Sequence, residues 1–388
     1  MPGEMGGSIK ELWVYPVKAC KGVSVQSAKL TSTGLELDRT WCIVDLDGVN
    51  ISKMEAVSQR KVPMLATVSV AFSADRSALM LDAPGMPQLE VPTAAEAYAS
   101  AETVTVECSG KSTTTGGGWS LGFEEGKLHS AGSAWFTEYL NREVEAASPS
   151  TKVLSGHRQP SRYALVRSMQ PLMMSSYPPI FPVIEKAATD ESYAKRFAGN
   201  AKRFADFAPL LIVNQDSAKF VGDRTPTGQN YPIAPFRGNV VLGETAGSWS
   251  EETWRQIEVS GAKGSITLQK IKECPRCTVP CRDQVTGGWV FPEDSLRLWK
   301  ILRKAFPGKD KDPEWGTWAG PFFGVYFGNA SQEGTLSVGD AIRVKESCHW
   351  DDHLRWRPCT VWAAGAGALA VATVAIAGAV WARNRTRR

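Results

Sequence analysis

The sequence contains no G-x-x-x-x-G-K-S/T phosphate loop and no G-x-G-x-x-G after a strand-like run, so nucleotide hydrolysis and dinucleotide binding lack their usual signatures. It has no flavin or nicotinamide motif, so electrons for any redox chemistry must come from elsewhere. No internal repeat is present, which argues against solenoids and propellers. The polar start MPGEMGGSIKE has no apolar h-region, so no secretory signal is expected. Excess charge is missing from the body as well. The formal +4 is carried by Arg383, Arg385, Arg387 and Arg388 at the extreme C-terminus, leaving 40 basic and 40 acidic side chains before residue 360. Overall charge therefore gives no support to a nucleic-acid partner.

What is present is a 388-residue chain, 43% hydrophobic, which excludes a disordered or fibrous protein and predicts at least two lobes. Residues 360–382 (TVWAAGAGALAVATVAIAGAVWA) form a run of 23 without a charged side chain. As a helix rising about 1.5 Å per residue, this run reaches about 34 Å, enough to cross a hydrocarbon core about 30 Å thick. Trp362 and Trp381 stand at its ends, and Arg355, Arg357 and the basic tail 383–388 flank it. The competing reading is a buried Ala-rich helix, since ten of the 23 residues are alanine, but a soluble helix of this length should show a polar face. The expectation is a single-pass tail anchor with the body in the cytosol. The mitochondrial outer membrane fits the basic flanks, and the endoplasmic reticulum and peroxisome remain open. In a reducing cytosol the eight cysteines are expected free, metal-binding or catalytic rather than disulfide-bonded.

Residues 9–108 read as strands joined by tight turns. LWVYPV, TWCIV, ATVSVAF, ALMLD and TVTVEC are β-branched or aromatic runs, and Asp47-Gly48 and Ala83-Pro84-Gly85 are turn signals. An all-β, barrel-like first lobe is predicted. Residues 110–122 (GKSTTTGGGWSLG) read as a mobile insertion loop. Residues 133–140 and 190–204 look helical, whereas APLLIV, NVVL and SITLQKI look like buried strands. Asp294 is expected to cap a helix with Leu296, Trp299, Ile301, Leu302 and Phe306 along one face. The stretch PFFGVYFGNASQEGTLSVGDAIRV reads as two strands around a glycine turn, and the second lobe as mixed but sheet-dominated.

The densest chemistry lies in KIKECPRCTVPCRDQVTGG, just after a strand. Three readings of Cys274, Cys277 and Cys281 compete. A zinc site needs a fourth ligand, which Cys348, His349 or His353 could supply. An iron–sulfur cluster also needs a fourth thiolate, and this spacing matches no common cluster motif. The third reading is one functional thiolate, favoured in its charged form by Arg276, Lys272 and Arg282.

PVKACKG near the start, LDRTW some twenty residues later, FRGNVV in the second lobe, CPRC followed by a T-G, and the closing GTLSVGD together resemble the MOSC-domain molybdenum enzymes. More narrowly they resemble the mitochondrial amidoxime-reducing components and their bacterial relatives. The ordered motifs span residues 8–346. The resemblance implies a β-dominated α+β protein with a MOSC N-terminal β-rich domain at 8–110, a connecting loop and helix at 111–160, and a MOSC core β-barrel with peripheral helices at 161–346. The anchor at 360–382 and the tail at 383–388 follow. It also implies a molybdenum cofactor, a phosphorylated pterin carrying molybdenum, held between the two domains with the metal ligated by the second cysteine of C-x-R-C, here Cys277. Thiolate softness agrees with that metal. Cys274 then becomes structural, while Cys281 falls where relatives carry Thr and keeps the zinc alternative open.

The resemblance assigns Lys18 and Arg39 to the cofactor phosphate and pterin, and Arg237 and Asn239 to the same task from the second lobe. Arginine supplies a planar fork for phosphate, and asparagine an edge for pairing with pterin. Each could otherwise be an exposed charge or a turn residue. The chain departs from the family in Ala19 and Pro275, where serines are common, and in FADFAP (204–209), where relatives carry Ser and Thr. Asp206 survives there as a candidate proton donor. The implied activity is reduction of N-hydroxylated compounds such as amidoximes and hydroxylamines, with electrons from a b5-type cytochrome and its NADH-dependent reductase. The alternatives are a molybdenum-cofactor or sulfur carrier without redox turnover, the chain having no room for the pyridoxal-phosphate lobe that full sulfurase activity would need, and a zinc-stabilised membrane adaptor.

Overall fold

Continuous apolar runs in the second half of the chain become strands buried on both faces, and they close into a barrel. The structure is a computed structural model describing residues 4–47, 54–111, 118–146, 161–179, 182–226, 228, 231–305, 321–330 and 332–347. The expected tail anchor, Phe306 and the candidate zinc ligands Cys348, His349 and His353 lie outside the described residues. No helix among the described residues is long and apolar enough to cross a membrane.

Seven strands close the barrel. Around the ring they are Val240–Gly243, Leu210–Asn214, Phe322–Gly328, Gly264–Pro275, Trp254–Gly261, Ala341–Ser347 and Glu4–Val14, which pairs back onto Val240–Gly243. All pairings are antiparallel except that of Leu210–Asn214 with Val240–Gly243. Alternation explains the apolar runs. Leu210 and Ile212 join one core with Leu12, Val240, Leu242, Val325 and Phe327. Leu211 and Val213 point the other way, into a second core with Val241, Phe323, Leu298 and Leu302. The first strand of the chain is therefore a stave of the barrel built mainly from residues 210–347, so the two halves of the sequence interlock.

In the first half, Trp41–Asp45, Tyr163–Ser168, Gly118–His129, Thr103–Lys111 and Met54–Glu55 form a sheet whose edges meet at a Val44–Ala56 bridge. The meander Ser69–Phe72, Ala78–Asp82 and Leu89–Pro92 packs beside it, sharing a core with helix Ser130–Ala146 through Val70, Leu79, Leu81, Val91, Trp135 and Phe136. Gly85 turns at φ 74°, as Ala83-Pro84-Gly85 predicts.

Four local readings are corrected. Residues 118–122, expected as loop, are strand paired with Thr103–Lys111. The helix expected over 190–204 spans only Glu191–Phe197, with the Asp190 side chain accepting from the Ser192 N–H; Ala201–Lys202 instead pairs as a strand with Leu172–Met173. The helix after Asp294 is Arg297–Ala305 and buries Leu298 and Leu302, while Leu296 precedes it and is exposed. The closing stretch forms three strands, Phe322–Gly328, Gly334–Ser337 and Ala341–Ser347, rather than two.

Candidate functional site

Two segments distant in sequence are stitched together where the first strand leaves the barrel. The Lys18 N–H donates to the Trp41 carbonyl (2.7 Å), the Trp41 N–H to Pro16 (3.0 Å) and the Arg39 N–H to Tyr15 (2.8 Å). These bonds set Lys18 and Ala19 beside Arg39. The Phe204 N–H donates to the Arg39 carbonyl (3.0 Å), bringing in the segment that carries Asp206. Gly34 lets that segment close in: at φ +98° an added Cβ would sit 2.2 Å from the Pro209 carbonyl oxygen. Arg237 follows the turn Ala234–Phe236, and Cys277 follows the long strand Gly264–Pro275.

These segments wall an open cavity. Lys18, Arg39, Asp206, Arg237, Asn239 and Cys277, all singled out in the sequence, line it together. Ala19, Arg39 and Arg237 there have φ of 71°, 46° and 56°, in the left-handed region that non-glycine residues rarely adopt. Local strain gathered on one wall is a mark of a functional site.

Four cations, Lys18, Arg39, Arg237 and Arg276, line the cavity. Arg39 Nη1 donates to Asp38 Oδ2 (2.6 Å) and its Nη2 to the Arg237 carbonyl (3.0 Å). Arg237 Nη1 donates to the Cys20 carbonyl (2.7 Å), while its buried Nη2 has no hydrogen-bond partner among the described residues. Burial, and next the charge of Arg39, lower the Arg237 pKa from its ordinary value. Lys18 Nζ donates to the Phe204 carbonyl (2.8 Å) and to Asp206 Oδ1. Gln59, which sequence reasoning missed, donates to the Ala19 carbonyl (2.6 Å) and exchanges hydrogen bonds with Gln284.

Cys277, Cys274 and Tyr326 line the same cavity. Cys277 is half-buried and accepts from the Val279 N–H at 3.5 Å. Burial pushes the Cys274 thiol up, and it does the same to the Tyr326 hydroxyl, with which Cys274 is hydrogen-bonded, so both hold their protons. Burial also pushes the Cys281 thiol up, to about 11.

Three site expectations change. Arg276, Lys272 and Arg282 are engaged away from Cys277. Arg276 donates to the Phe323 and Phe236 carbonyls (2.9 and 3.0 Å), Lys272 pairs with Glu273, and Arg282 stacks 3.5 Å over Trp289. Asn239 has its amide committed, accepting from the Leu211 N–H (3.2 Å) and donating to the Trp13 carbonyl (3.2 Å) and to Asp38, so it fastens the cavity wall instead of presenting an edge. Asp206 fits a proton donor poorly. The cavity walls oppose its charge, but Lys18, with Arg39 and Arg60 behind it, outweighs them and holds the carboxyl well below the usual carboxylate range. An ionised carboxylate has no proton to give.

Among the described residues, no three of His, Cys, Asp and Glu converge on a point that could hold a metal ion, so Cys274, Cys277 and Cys281 do not form the core of a zinc site. A single thiolate ligand needs no such cluster. Of the residues the sequence reading did not reach, Ser58 and Gln59 lie in a polar stretch without a motif. Tyr326 hides in an apolar run that reads as core.

Residues 6–143 match the MOSC N-terminal beta barrel domain, and residues 200–343 match the MOSC domain. The chain is 26% identical over 340 residues to a Bos taurus protein named mitochondrial amidoxime reducing component 2, covering 87% of this chain and 82% of that one. It is 25% identical over 340 residues to the Homo sapiens mitochondrial amidoxime-reducing component 1, covering 87% of this chain and 82% of the relative. A Bos taurus molybdenum cofactor sulfurase is 22% identical over 289 residues, 72% of this chain but 27% of that protein.

Proposed function

We propose that this chain, which belongs to the MOSC-domain proteins, is a molybdenum-cofactor-dependent reductase of N-hydroxylated compounds, amidoximes and hydroxylamines among them. The observation that carries this reading is one cavity lined both by anion-seeking cations and by a thiol. Lys18, Arg39 and Arg237 line it, with a buried Arg237 guanidinium nitrogen left unpartnered among the described residues, and Cys277 lines it with them. A phosphorylated pterin bearing a thiophilic metal fits that donor set. When bound, the group supplies a centre that passes two electrons into an N–O bond. The net change is R–NHOH plus two electrons and two protons giving R–NH2 and water.

The chain's own residues have distinct tasks. Arg237 and Arg39 would hold the phosphate through charge-assisted bonds, with Lys18 as a further cation. Cys277 would give its sulfur to the metal. Asn239 and Gln59 keep the wall and the Lys18 loop in place, and Tyr326 keeps a proton on its hydroxyl at the cavity surface. Electrons would come from a b5-type cytochrome reduced by its NADH-dependent reductase. If residues 360–382 anchor the chain in the mitochondrial outer membrane, donor and acceptor share one surface at raised effective concentration. Fractionation of cells expressing the full chain, or the chain ending at residue 359, tests the anchor. Equal recovery of both in the soluble fraction would remove it.

The central test is metal analysis of the full chain made in a host that synthesises the pterin cofactor. Near-stoichiometric molybdenum, lost in Cys277→Ala, is expected, together with benzamidoxime reduction by the b5-type chain. Retention of molybdenum in Cys277→Ala would overturn the ligand assignment. The match to the sulfurase favours a second reading, a cofactor or sulfur carrier, which predicts molybdenum without turnover on any N-hydroxylated compound.

A further inference from the structure

Asp206 differs from every other charged residue on the cavity wall. Its side chain is 80% exposed, whereas that of Lys18 is 17% and that of Arg39 is 11%. Arg276 is buried, and Arg237 is half-buried with its Nη1 turned to a backbone carbonyl. The cations are therefore recessed, and the single carboxylate of the lining is open to the cavity. Lys18 holds Asp206 Oδ1, which fixes the carboxylate's direction, while Oδ2 accepts no hydrogen bond among the described residues. Asp206 lines the same cavity as Cys274, Cys277 and Tyr326.

We propose that Asp206 is a specificity-determining residue that selects N-hydroxylated substrates presenting a cationic, N–H-bearing head, N-hydroxyguanidines above all, over neutral heads such as N-hydroxyureas. The proposal rests on the reductase reading. The recessed cations are matched by the cofactor's anion, which leaves the open carboxylate as the unmatched charge facing a substrate in the cavity. An ionised acceptor with an open oxygen forms charge-assisted bonds to guanidinium N–H groups. A carbonyl in place of one of those groups turns an oxygen lone pair toward the carboxylate and loses both charge and donor. Sites built around a hydrogen bond discriminate strongly against ligands that cannot make it.

The experiment uses the molybdenum-loaded full chain and two isosteric pairs. Phenylguanidinium and phenylurea, which carry no N–O bond, are compared by calorimetric binding. N-hydroxy-N′-phenylguanidine and N-hydroxy-N′-phenylurea are compared by kcat/KM. The guanidine member should be favoured about tenfold or more in both pairs. Asp206→Asn should collapse both preferences to within about threefold, and Asp206→Glu should retain them. Because the binding pair needs no turnover, an inactive protein that still prefers phenylguanidinium through Asp206 would sink the reductase reading and leave the recognition intact. Equal binding of the two probes by the wild type, or a preference unchanged in Asp206→Asn, would overturn the proposal.

Discussion

Arg39 and Arg237 lie over the same ring. Each guanidinium carbon is 4.4 Å from the centroid of Tyr15, and Arg39 Nη2 also donates to the Arg237 backbone carbonyl at 3.0 Å. The aromatic ring attracts both cations, yet their charges repel. Of the two arginines, only Arg39 is paired with Asp38, at 2.6 Å. Such a pair is poised for an anion. Inorganic phosphate at a hundred times its dissociation constant should stabilise the cofactor-free protein by about 2.7 kcal/mol, as any ligand of the folded state would. Arg237→Gln should lose most of that gain. Chemical unfolding with and without phosphate, at constant ionic strength set with chloride, measures it. Equal stabilisation by chloride alone would contradict the anion site.

A second cluster gives a prediction in pH. Glu251 and Glu252 are both fully buried, and Glu251 Oε2 accepts from Asn214 Nδ2 at 3.0 Å. Burial, and next the charge of Glu252, push the Glu251 carboxyl up to about 8. A carboxyl whose folded-state pKa lies above its unfolded value binds its proton more tightly when folded. Its contribution is complete below the unfolded pKa and is lost as pH rises through about 8. Wild-type stability should therefore fall with rising pH across this window, and Glu251→Gln should make the profile flatter by up to about 1.4 kcal/mol per pH unit. Urea unfolding at pH 5.5, 7.0 and 8.5 distinguishes parallel profiles, which would refute the shift, from diverging ones.

Lys202 and Glu124 form an ion pair at 3.0 Å with both side chains almost wholly withdrawn from water. Glu124 also accepts from Ser168 Oγ (3.2 Å) and Cys108 Sγ (3.1 Å), tying the first-half sheet to the segment that leads into Asp206. Removing one partner strands a buried charge, so Glu124→Gln should cost about 3–5 kcal/mol. Glu124→Met combined with Lys202→Met should cost much less than the two single changes added together. Denaturant midpoints of the four proteins provide the comparison, and strict additivity would mean the pair is not coupled.

The sequence is legible where one interaction dominates. Strands such as Leu210–Asn214 and Phe322–Gly328 announce themselves because both faces are buried, and Cys277, Arg39 and Arg237 sit in motifs whose order is preserved along the chain. It is less legible where long-range geometry decides. Nothing local says that Glu4–Val14 closes a barrel made of residues 210–347, or that Tyr163–Ser168 returns to the first-half sheet. Residues 198–204 have a helical composition but give up their helix because Ala201–Lys202 finds a strand partner and Lys202 a buried carboxylate. The charge state of Asp206 was equally hidden, since it depends on Lys18, a neighbour 188 residues away.

The last relationship joins two amides across the halves of the chain. Gln59 Nε2 donates to Gln284 Oε1 and Gln284 Nε2 to Gln59 Oε1, both at 3.1 Å, while Gln59 also holds the Ala19 carbonyl at 2.6 Å. Gln59 is buried, so its replacement by leucine leaves the Ala19 carbonyl and one face of Gln284 without partners. A cost of about 1–3 kcal/mol is expected for Gln59→Leu, and a coupling of about 0.5–1.5 kcal/mol between Gln59→Leu and Gln284→Leu in a double-mutant cycle. The same change should weaken phosphate binding by the cofactor-free protein, because the loop it releases carries Lys18. A stability loss with unaltered phosphate affinity would show that Gln59 braces the fold without positioning the anion site; weakened affinity with zero coupling would assign the effect to the Ala19 carbonyl alone.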